Sequence, residues 1–223
     1  MIENKFIWAD LSSYEPSKTK VFYENVFHWK YYDDNGYYTA FNKNKQDVGL
    51  YQTLLKFKEM KMPSFWMSYI QVENVFKAVE KAKSLGGIIE LINKDDSFGN
   101  VALIRDTLGA GFTVYDGNQL NYRTKSDENT LIFNELHVSS ASKAIDFYQN
   151  LFDWRIEKQN DYEFDVFSRS TNNKLASILE IENAVKSKYE YWVCTFGVKN
   201  LKETKKRIVK YKGYVVSDEG TRM

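Results

Sequence analysis

An internal repeat is the feature that most limits what this chain can fold into. Residues 22–29 (FYENVFHW) return as residues 147–154 (FYQNLFDW), an offset of 125, and Phe65-Trp66 returns as Tyr191-Trp192, an offset of 126. Solenoid repeats are much shorter, roughly 20–50 residues. Because the spacing between landmarks is kept, we predict two copies of one domain rather than a solenoid.

Each copy is predicted to be a pair of βαβββ modules. Residues 5–53 predict a strand, a helix that begins near Pro16, and three further strands. Residues 65–116 repeat that order, with a helix that ends at Gly86-Gly87. The predicted fold class is therefore α+β, with tandem βαβββ modules paired into half-closed mixed sheets.

The repeat also sets the predicted domain boundaries, with a first domain over 1–117, a polar linker over 118–130 and a second domain over 131–223. Carrying the offset of 126 forward, the counterpart of Tyr115 would fall near position 241, beyond Met223. We therefore expect the second domain to lack its last strands. An unpaired strand edge and an uncovered apolar face predict either a homodimer or a chain shortened relative to its natural gene product.

Composition narrows the classes of partner. The chain has 31 Lys+Arg against 30 Asp+Glu and no long run of one sign, which argues against nucleic acid as the main partner. Its one cysteine, Cys194, excludes an internal disulfide and fits a reducing compartment. No apolar run approaches the ~20 residues that a membrane helix needs. We expect a soluble, cytoplasmic protein with a small-molecule ligand.

The alternating modules, with a Phe-Tyr pair in the first helix and Gly-Gly after the second, resemble the vicinal oxygen chelate superfamily. That superfamily includes glyoxalase I, extradiol dioxygenases, and fosfomycin and bleomycin resistance proteins. Tandem glyoxalase-like members are most similar: the openings of their halves match residues 7–11 (IWADL) and 133–136 (FNEL). His28 and Asp153 replace the family glycine before each tryptophan. The resemblance implies two glyoxalase-like domains across residues 5 to about 216.

The resemblance also implies where a metal would bind. In metal-dependent members, His, Gln or Glu from opening strands and a Glu from a closing strand hold a divalent ion. Those positions here carry side chains that cannot bind a hard cation: Trp8, Met67, Thr113, Phe133 and Val193. No metal or other cofactor is therefore expected. The alternative metal pair is Glu135 with His137, which share one face of the third module's first strand.

Strand parity predicts the lining of the first domain's cleft. The predicted ligand-binding residues are Trp8, Asp10, Met67, Tyr69, Gln71, Thr113 and Tyr115. An aromatic wall with a few polar groups is typical of a ligand pocket, and aromatic faces stack on planar or cationic ligands. The alternative is that these side chains fill the barrel as a second core.

Two classes of function stay open beside the one that the sequence favours. The favoured function is a metal-free binder of a small aromatic or cationic molecule, as the resemblance to bleomycin resistance proteins implies. One alternative is an enzyme, either a metal-dependent lyase, isomerase or dioxygenase of the superfamily or a catalyst that uses Asp10 or Glu135 as a general base. The other is a degenerate domain with an interaction role. Cys194 is predicted to be a buried, inert thiol, and His28 to lie at the end of the first helix.

Overall fold

A computed structural model describes residues 2–122 and 127–216 of the chain. Its residues fall into two compact units. Unit 1 is drawn from Met1–Ala9, Trp66–Asn121 and Phe133–Thr195, and unit 2 from Asp10–Phe65, Tyr122–Ile132 and Phe196–Met223. Each unit therefore combines parts of both sequence repeats. The division into domains 1–117 and 131–223 stays a prediction, and residues 123–126 of the predicted linker lie outside the described residues.

Unit 2 contains the first module. Its elements are the second half of β1 (Phe6–Ser13), α1 (Pro16–Phe27), β2 (Lys30–Asp34), β3 (Tyr37–Asn42), β4 (Lys45–Gln52), α2 (Leu55–Glu59) and α6 (Leu201–Lys210). The strands follow the order β2-β3-β4-β1, antiparallel except for the parallel β1–β4 pair. Asn35 and Gly36 join β2 to β3 with φ of 52° and 93°, and a two-residue hairpin turn of this kind requires positive φ at both positions.

Unit 1 contains the second and third modules. Its elements are the first half of β1, β5 (Phe65–Gln71), α3 (Val75–Ser84), β6 (Ile88–Asn93), β7 (Val101–Arg105), β8 (Gly111–Tyr115), a 3₁₀ helix (Gln119–Tyr122), β9 (Thr130–Val138), α4 (Ala141–Leu151), β10 (Trp154–Lys158), β11 (Glu163–Ser168), β12 (Lys174–Glu180), α5 (Asn183–Lys186) and β13 (Tyr191–Gly197). Its strand orders are β1-β5-β8-β7-β6 and β10-β11-β12-β9-β13. Parallel and antiparallel pairs occur in both.

The core of unit 1 lies around α3 and α4, which pack against each other and against neighbouring strands. Tyr148 of α4 is fully buried there, and its hydroxyl donates to Asp106 Oδ2 at 3.1 Å. Trp192 Nε1 donates to the same hydroxyl at 3.1 Å. The tyrosine of the repeated Phe-Tyr pair thus takes part in a buried hydrogen-bond network and also packs in the apolar core.

The core of unit 2 is aromatic. Tyr23 of α1 stacks on Phe27 and Trp29, with ring centroids 5.7 and 5.2 Å apart, and Phe196 packs on Trp29 at 5.4 Å. Helix α6 packs against α1. The aromatic residues of the repeated FYENVFHW segment thus pack α1 against its own module.

The predicted α+β class of tandem βαβββ modules with mixed sheets is confirmed. Helix α1 begins at Pro16, and the chain turns at Gly86, φ 87°, after α3. The sequence did not predict α2, α5 or the 3₁₀ helix Gln119–Tyr122, which are four or five residues long and have no full helical period to detect. None of the described helices combines the length and apolar character that crossing a membrane requires.

Candidate functional site

Most of the predicted cleft residues lie on β5 and β8 of unit 1. The two strands pair in parallel, with Tyr69 opposite Thr113 and Gln71 opposite Tyr115. The alternate positions, such as Ile70, belong to the main core of unit 1. The paired residues therefore share the opposite face of the sheet. Met67 lies on the same strand face and packs beside Gly111, where an added Cβ would meet its Cε at 3.2 Å.

The aromatic residues of this face form a separate apolar cluster, here called the aromatic wall: Trp8, Tyr69 and Tyr115. Trp8 and Tyr115 are 2% and 0% exposed, and they pack with Ile7 and Leu120. Tyr69 is half-buried and packs against the same cluster. Leu120, in the 3₁₀ helix, is the residue that the sequence did not predict, because it stands alone among polar neighbours in an apparent linker.

Gln71 lies on the same sheet face as the aromatic wall, and its side-chain amide makes only some of its possible hydrogen bonds. Its side chain is 3% exposed, and Nε2 donates to the carbonyls of Gly117 at 3.1 Å and Val72 at 3.4 Å. Its Oε1 is buried and has no hydrogen-bond partner among residues 2–122 and 127–216. A buried acceptor without a donor costs about 1–3 kcal/mol, so this atom marks a place where a ligand N–H or O–H, or a water molecule, is stabilising.

Asp10, the remaining predicted cleft residue, lies in unit 2. It is 4% exposed, and its Oδ1 accepts a hydrogen bond from the Tyr37 hydroxyl at 2.7 Å. Gly49 stands opposite Asp10 on β4, and any Cβ there would collide with both groups. The glycine thus gives the carboxylate room to reach Tyr37, and Asp10 is held by the sheet of its own unit.

Glu135 and His137 share the face of β9 that is turned away from the unit 1 core, which holds Leu136 and Val138. Burial raises the pKa of the Glu135 carboxyl, a bond donated by Thr195 Oγ1 at 3.5 Å opposes the shift, and the Glu163 charge adds to it. Burial lowers the pKa of His137, and so does the positive charge of Lys186. The two shifts run in opposite directions, since each disfavours the charged form of its group.

The donor set does not fit a divalent metal. Within residues 2–122 and 127–216, no group of three or more His, Cys, Asp or Glu side chains is placed to hold one. Glu135 and His137 supply two donors on one strand. Two of the expected ligand positions are buried: Trp8 lies in the aromatic wall, and Thr113 stands opposite Tyr69.

Two further predicted positions are described. His28 ends α1 in the left-handed conformation, φ 62°, at the helix C-terminus as predicted. Cys194 is half-buried rather than fully buried, with its sulfur 3.6 Å from both Ser68 Oγ and Asn134 Nδ2. The polar neighbours come from β5 and β9, and no sequence pattern linked them to the cysteine.

Known proteins resemble this chain in sequence and in fold. The mycobacterial proteins provisionally named glyoxylase CFP32, from Mycobacterium bovis and Mycobacterium tuberculosis, are 29% identical over 150 residues. The match covers 64% of this chain and 57% of those relatives, so the chain spans little more than half of their length. No family model matches the chain.

Two solved structures show the fold. The Mn(II)-bound glyoxalase from Novosphingobium aromaticivorans has a TM-score of 0.64 at 10% identity, over 94% of this chain and 71% of that one. Homoprotocatechuate 2,3-dioxygenase from Brevibacterium fuscum, in complex with 3,4-dihydroxyphenylacetate, has a TM-score of 0.58 at 14% identity, over 79% and 60%.

The chain therefore shares the fold of these two solved structures, a glyoxalase and a dioxygenase. Because the fold hosts many chemistries, its activity has to be inferred from the residues of the site.

Proposed function

We propose that this protein binds a small aromatic or cationic molecule at the aromatic wall of unit 1, without a metal. The observation that carries the proposal is the buried, unpaired Oε1 of Gln71 on the sheet face that also presents Tyr69. The ligand would carry an N–H or O–H group that donates to this oxygen. Its flat or charged part would lie against Trp8 and Tyr69, in the place that Leu120 occupies in the structure.

The chemistry of the wall supports that class of ligand. An aromatic pair adds about 0.5–1.5 kcal/mol beyond the area it buries, and a desolvated cation over an aromatic ring adds about 2 kcal/mol. A donor that reaches Gln71 Oε1 would also remove the cost of an unpaired buried acceptor. These contributions favour a compact ring or cation with one donor over an aliphatic acid.

The residues at the expected ligand positions support metal-free binding. Trp8, Met67 and Thr113 offer no imidazole or carboxylate in unit 1, and Phe133 and Val193 offer none on β9 and β13. The manganese in the Novosphingobium glyoxalase belongs to that protein. Elemental analysis of this chain, purified without chelators or a metal-binding tag, is expected to find far less than one divalent metal per chain.

A thermal-shift screen in excess EDTA tests the proposal. Wild-type protein is scanned against aromatic, aromatic-cationic and aliphatic compounds, since a ligand stabilises by RT ln(1 + [L]/Kd). Compounds that raise Tm are rescreened with Gln71→Met, which keeps volume but removes the acceptor. Gln52→Met, at the exposed end of β4, is the matched control. We expect the shift to be lost with Gln71→Met and kept with Gln52→Met. If only aliphatic acids or added metals raise Tm, the proposal is wrong.

A second candidate function is acid–base catalysis at Glu135, which the raised pKa of this carboxyl favours. A raised pKa brings a carboxyl closer to the range in which it can exchange a proton with a substrate. Glu135→Gln separates the two functions because it removes a titrating group far along the chain from Gln71 and keeps the Thr195 bond possible. If Glu135→Gln loses turnover of a substrate but binds the ligand as wild type does, Glu135 on β9 takes part in catalysis.

A further inference from the structure

Leu120 occupies the place in the aromatic wall that the proposed ligand needs. It is 6% exposed and packs with Trp8 and Tyr115. Asn118 and Gln119, which precede it, are exposed, so a polar surface segment inserts a single apolar side chain into the site. A ligand at the wall and Leu120 therefore exclude each other.

Two residues of the proposed site hold residues 117–120, here called the latch. The hydroxyl of Tyr115 accepts a hydrogen bond from the backbone N–H of Gln119 at 3.1 Å. Gln71 Nε2 donates to the backbone carbonyl of Gly117 at 3.1 Å, and the Oε1 of the same amide is the proposed acceptor for the ligand. Side chains that a ligand would contact therefore also hold the latch.

The chain is fixed immediately before the latch. Asp116 Oδ1 accepts a hydrogen bond from the backbone N–H of Asn100 at 2.8 Å, and its Oδ2 accepts one from the first residue of α3 at 3.0 Å. Gly117 follows, and an added Cβ there would collide with the carbonyl of Phe98 and the hydroxyl of Tyr115. Because glycine gives the backbone wide conformational freedom, the latch can move about Gly117 while Asp116 and β8 stay in place.

The latch has little structure of its own to hold it. Its last two residues open the 3₁₀ helix Gln119–Tyr122, which is about one turn long, and hydrogen-bond geometry in a 3₁₀ helix is poorer than in an α-helix. So short a helical segment takes its position from tertiary contacts rather than from its own backbone bonds. The packing of Leu120 and the bonds from Tyr115 and Gln71 therefore keep the latch closed.

We propose that the latch regulates the binding site by competing with the ligand for the aromatic wall, an inference that rests on the proposed function. In the closed state, which the structure shows, Leu120 fills the wall. In the open state the latch has moved about Gly117, and the flat part of the ligand replaces Leu120 beside Trp8. The apparent affinity is then reduced in proportion to the fraction of molecules that are open. The latch also selects ligands, because a compound has to replace the apolar contacts of a leucine side chain in order to displace it.

Amide hydrogen exchange, measured by NMR on the full chain, tests the inference with indole as the probe. Indole has a flat ring and one N–H donor. Saturating indole is expected to speed exchange of the Gln119 and Leu120 amides at least about tenfold, since opening breaks the bond to Tyr115. The Val72 amide, which donates to the backbone carbonyl of Tyr115, is expected to show no such increase. Binding without a latch would instead leave exchange at Gln119 and Leu120 unchanged or slower.

Two matched tyrosine variants test the same inference by isothermal titration calorimetry. Tyr115→Phe keeps the ring in the wall but removes the hydroxyl that accepts from Gln119. It is expected to bind indole at least about tenfold more tightly than wild type, because a larger fraction of the molecules is open. Tyr32→Phe removes a hydroxyl from a side chain that is 64% exposed and is expected to bind indole as wild type does.

The outcomes separate the latch from the proposed function. The latch is overturned if indole binds wild-type protein while exchange at Gln119 and Leu120 does not increase, or if Tyr115→Phe binds no more tightly than wild type. Either result leaves the proposed function standing. If indole binds neither protein, the proposed binding of a flat ring with one donor fails, and the latch fails with it. The exchange experiment uses the wild-type chain, so it decides the question even if Tyr115→Phe does not fold.

Discussion

The indole Nε1 of Trp154 donates a hydrogen bond to the backbone carbonyl of Asn4 at 2.6 Å. The same bond occurs in the other unit, where Trp29 Nε1 donates to the carbonyl of Asn129 at 2.8 Å. Both partners of the second bond are offset from the first by 125 residues, which is the period of the sequence repeat. Each tryptophan therefore fixes the segment that leads into the first strand of the other repeat.

Replacing Trp154 with Phe is expected to lower the free energy of unfolding by about 1–3 kcal/mol, because the Asn4 carbonyl loses its donor and the core loses volume. Trp29→Phe is the matched variant at the equivalent position and is expected to cost a similar amount. Urea denaturation measures both. A Trp154→Phe protein as stable as wild type would show that this bond does not hold the N-terminal segment.

The buried Asp106 is expected to make stability depend on pH. Burial raises its pKa above the ordinary 3.8, despite bonds donated by the backbone N–H of Ala110, Leu108 and Gly109 and by Tyr148. A raised pKa in the folded state contributes stability that is complete below pH 3.8 and is lost as pH rises through the folded value. Asp106→Asn should remove this loss, so its stability relative to wild type should grow across that window. Parallel stability curves for the two proteins would contradict the assignment.

His137 is expected to titrate below its ordinary pKa of 6.5, because burial and Lys186 disfavour the imidazolium. A lowered histidine pKa contributes stability that is present above pH 6.5 and lost as pH falls through the folded value. Proton NMR of the ring C–H signals measures the midpoint. The chain has two histidines, so His137→Gln leaves one signal and assigns the other. A midpoint above 6.5 would mean that His137 faces solvent or a carboxylate.

Removing the Leu120 side chain tests how the aromatic wall is closed. Leu120→Ala is expected to cost about 2–5 kcal/mol, since it opens a cavity beside Trp8 and Tyr115. A small aromatic compound such as indole should restore more stability to this variant than to wild type. Leu55→Ala, at a site 66% exposed, is the control and is expected to change little. If Leu120→Ala is neutral, Leu120 does not fill the wall.

The repeat and its order of strands and helices could be predicted from the sequence, because helices and strands of ordinary length show a periodic pattern of hydrophobic residues. Residues 22–29 and 147–154 mark α1 and α4 in this way. Leu120 was not readable, because one apolar residue in a polar segment has no period, and its place is set by tertiary packing against Trp8. The Asp106–Tyr148 bond likewise joins residues 42 positions apart with no local signal.

The site was readable only in part. Strand parity placed Tyr69, Gln71 and Thr113 on one face, which the β5–β8 register also gives. Strand parity predicts which face a side chain is on but not how deeply it is buried. The near-complete burial of Gln71 and its Oε1 without a partner among the described residues are therefore seen only in the structure.

Isothermal titration calorimetry tests the central claim most directly. The compound with the largest thermal shift is titrated into wild-type protein with and without excess EDTA, and into Gln71→Met. Metal-free binding at the aromatic wall predicts one site per chain, the same affinity with and without EDTA, and an affinity at least about tenfold weaker for Gln71→Met, since a buried acceptor would be lost. Binding that disappears in EDTA, or that Gln71→Met leaves unchanged, would contradict the claim.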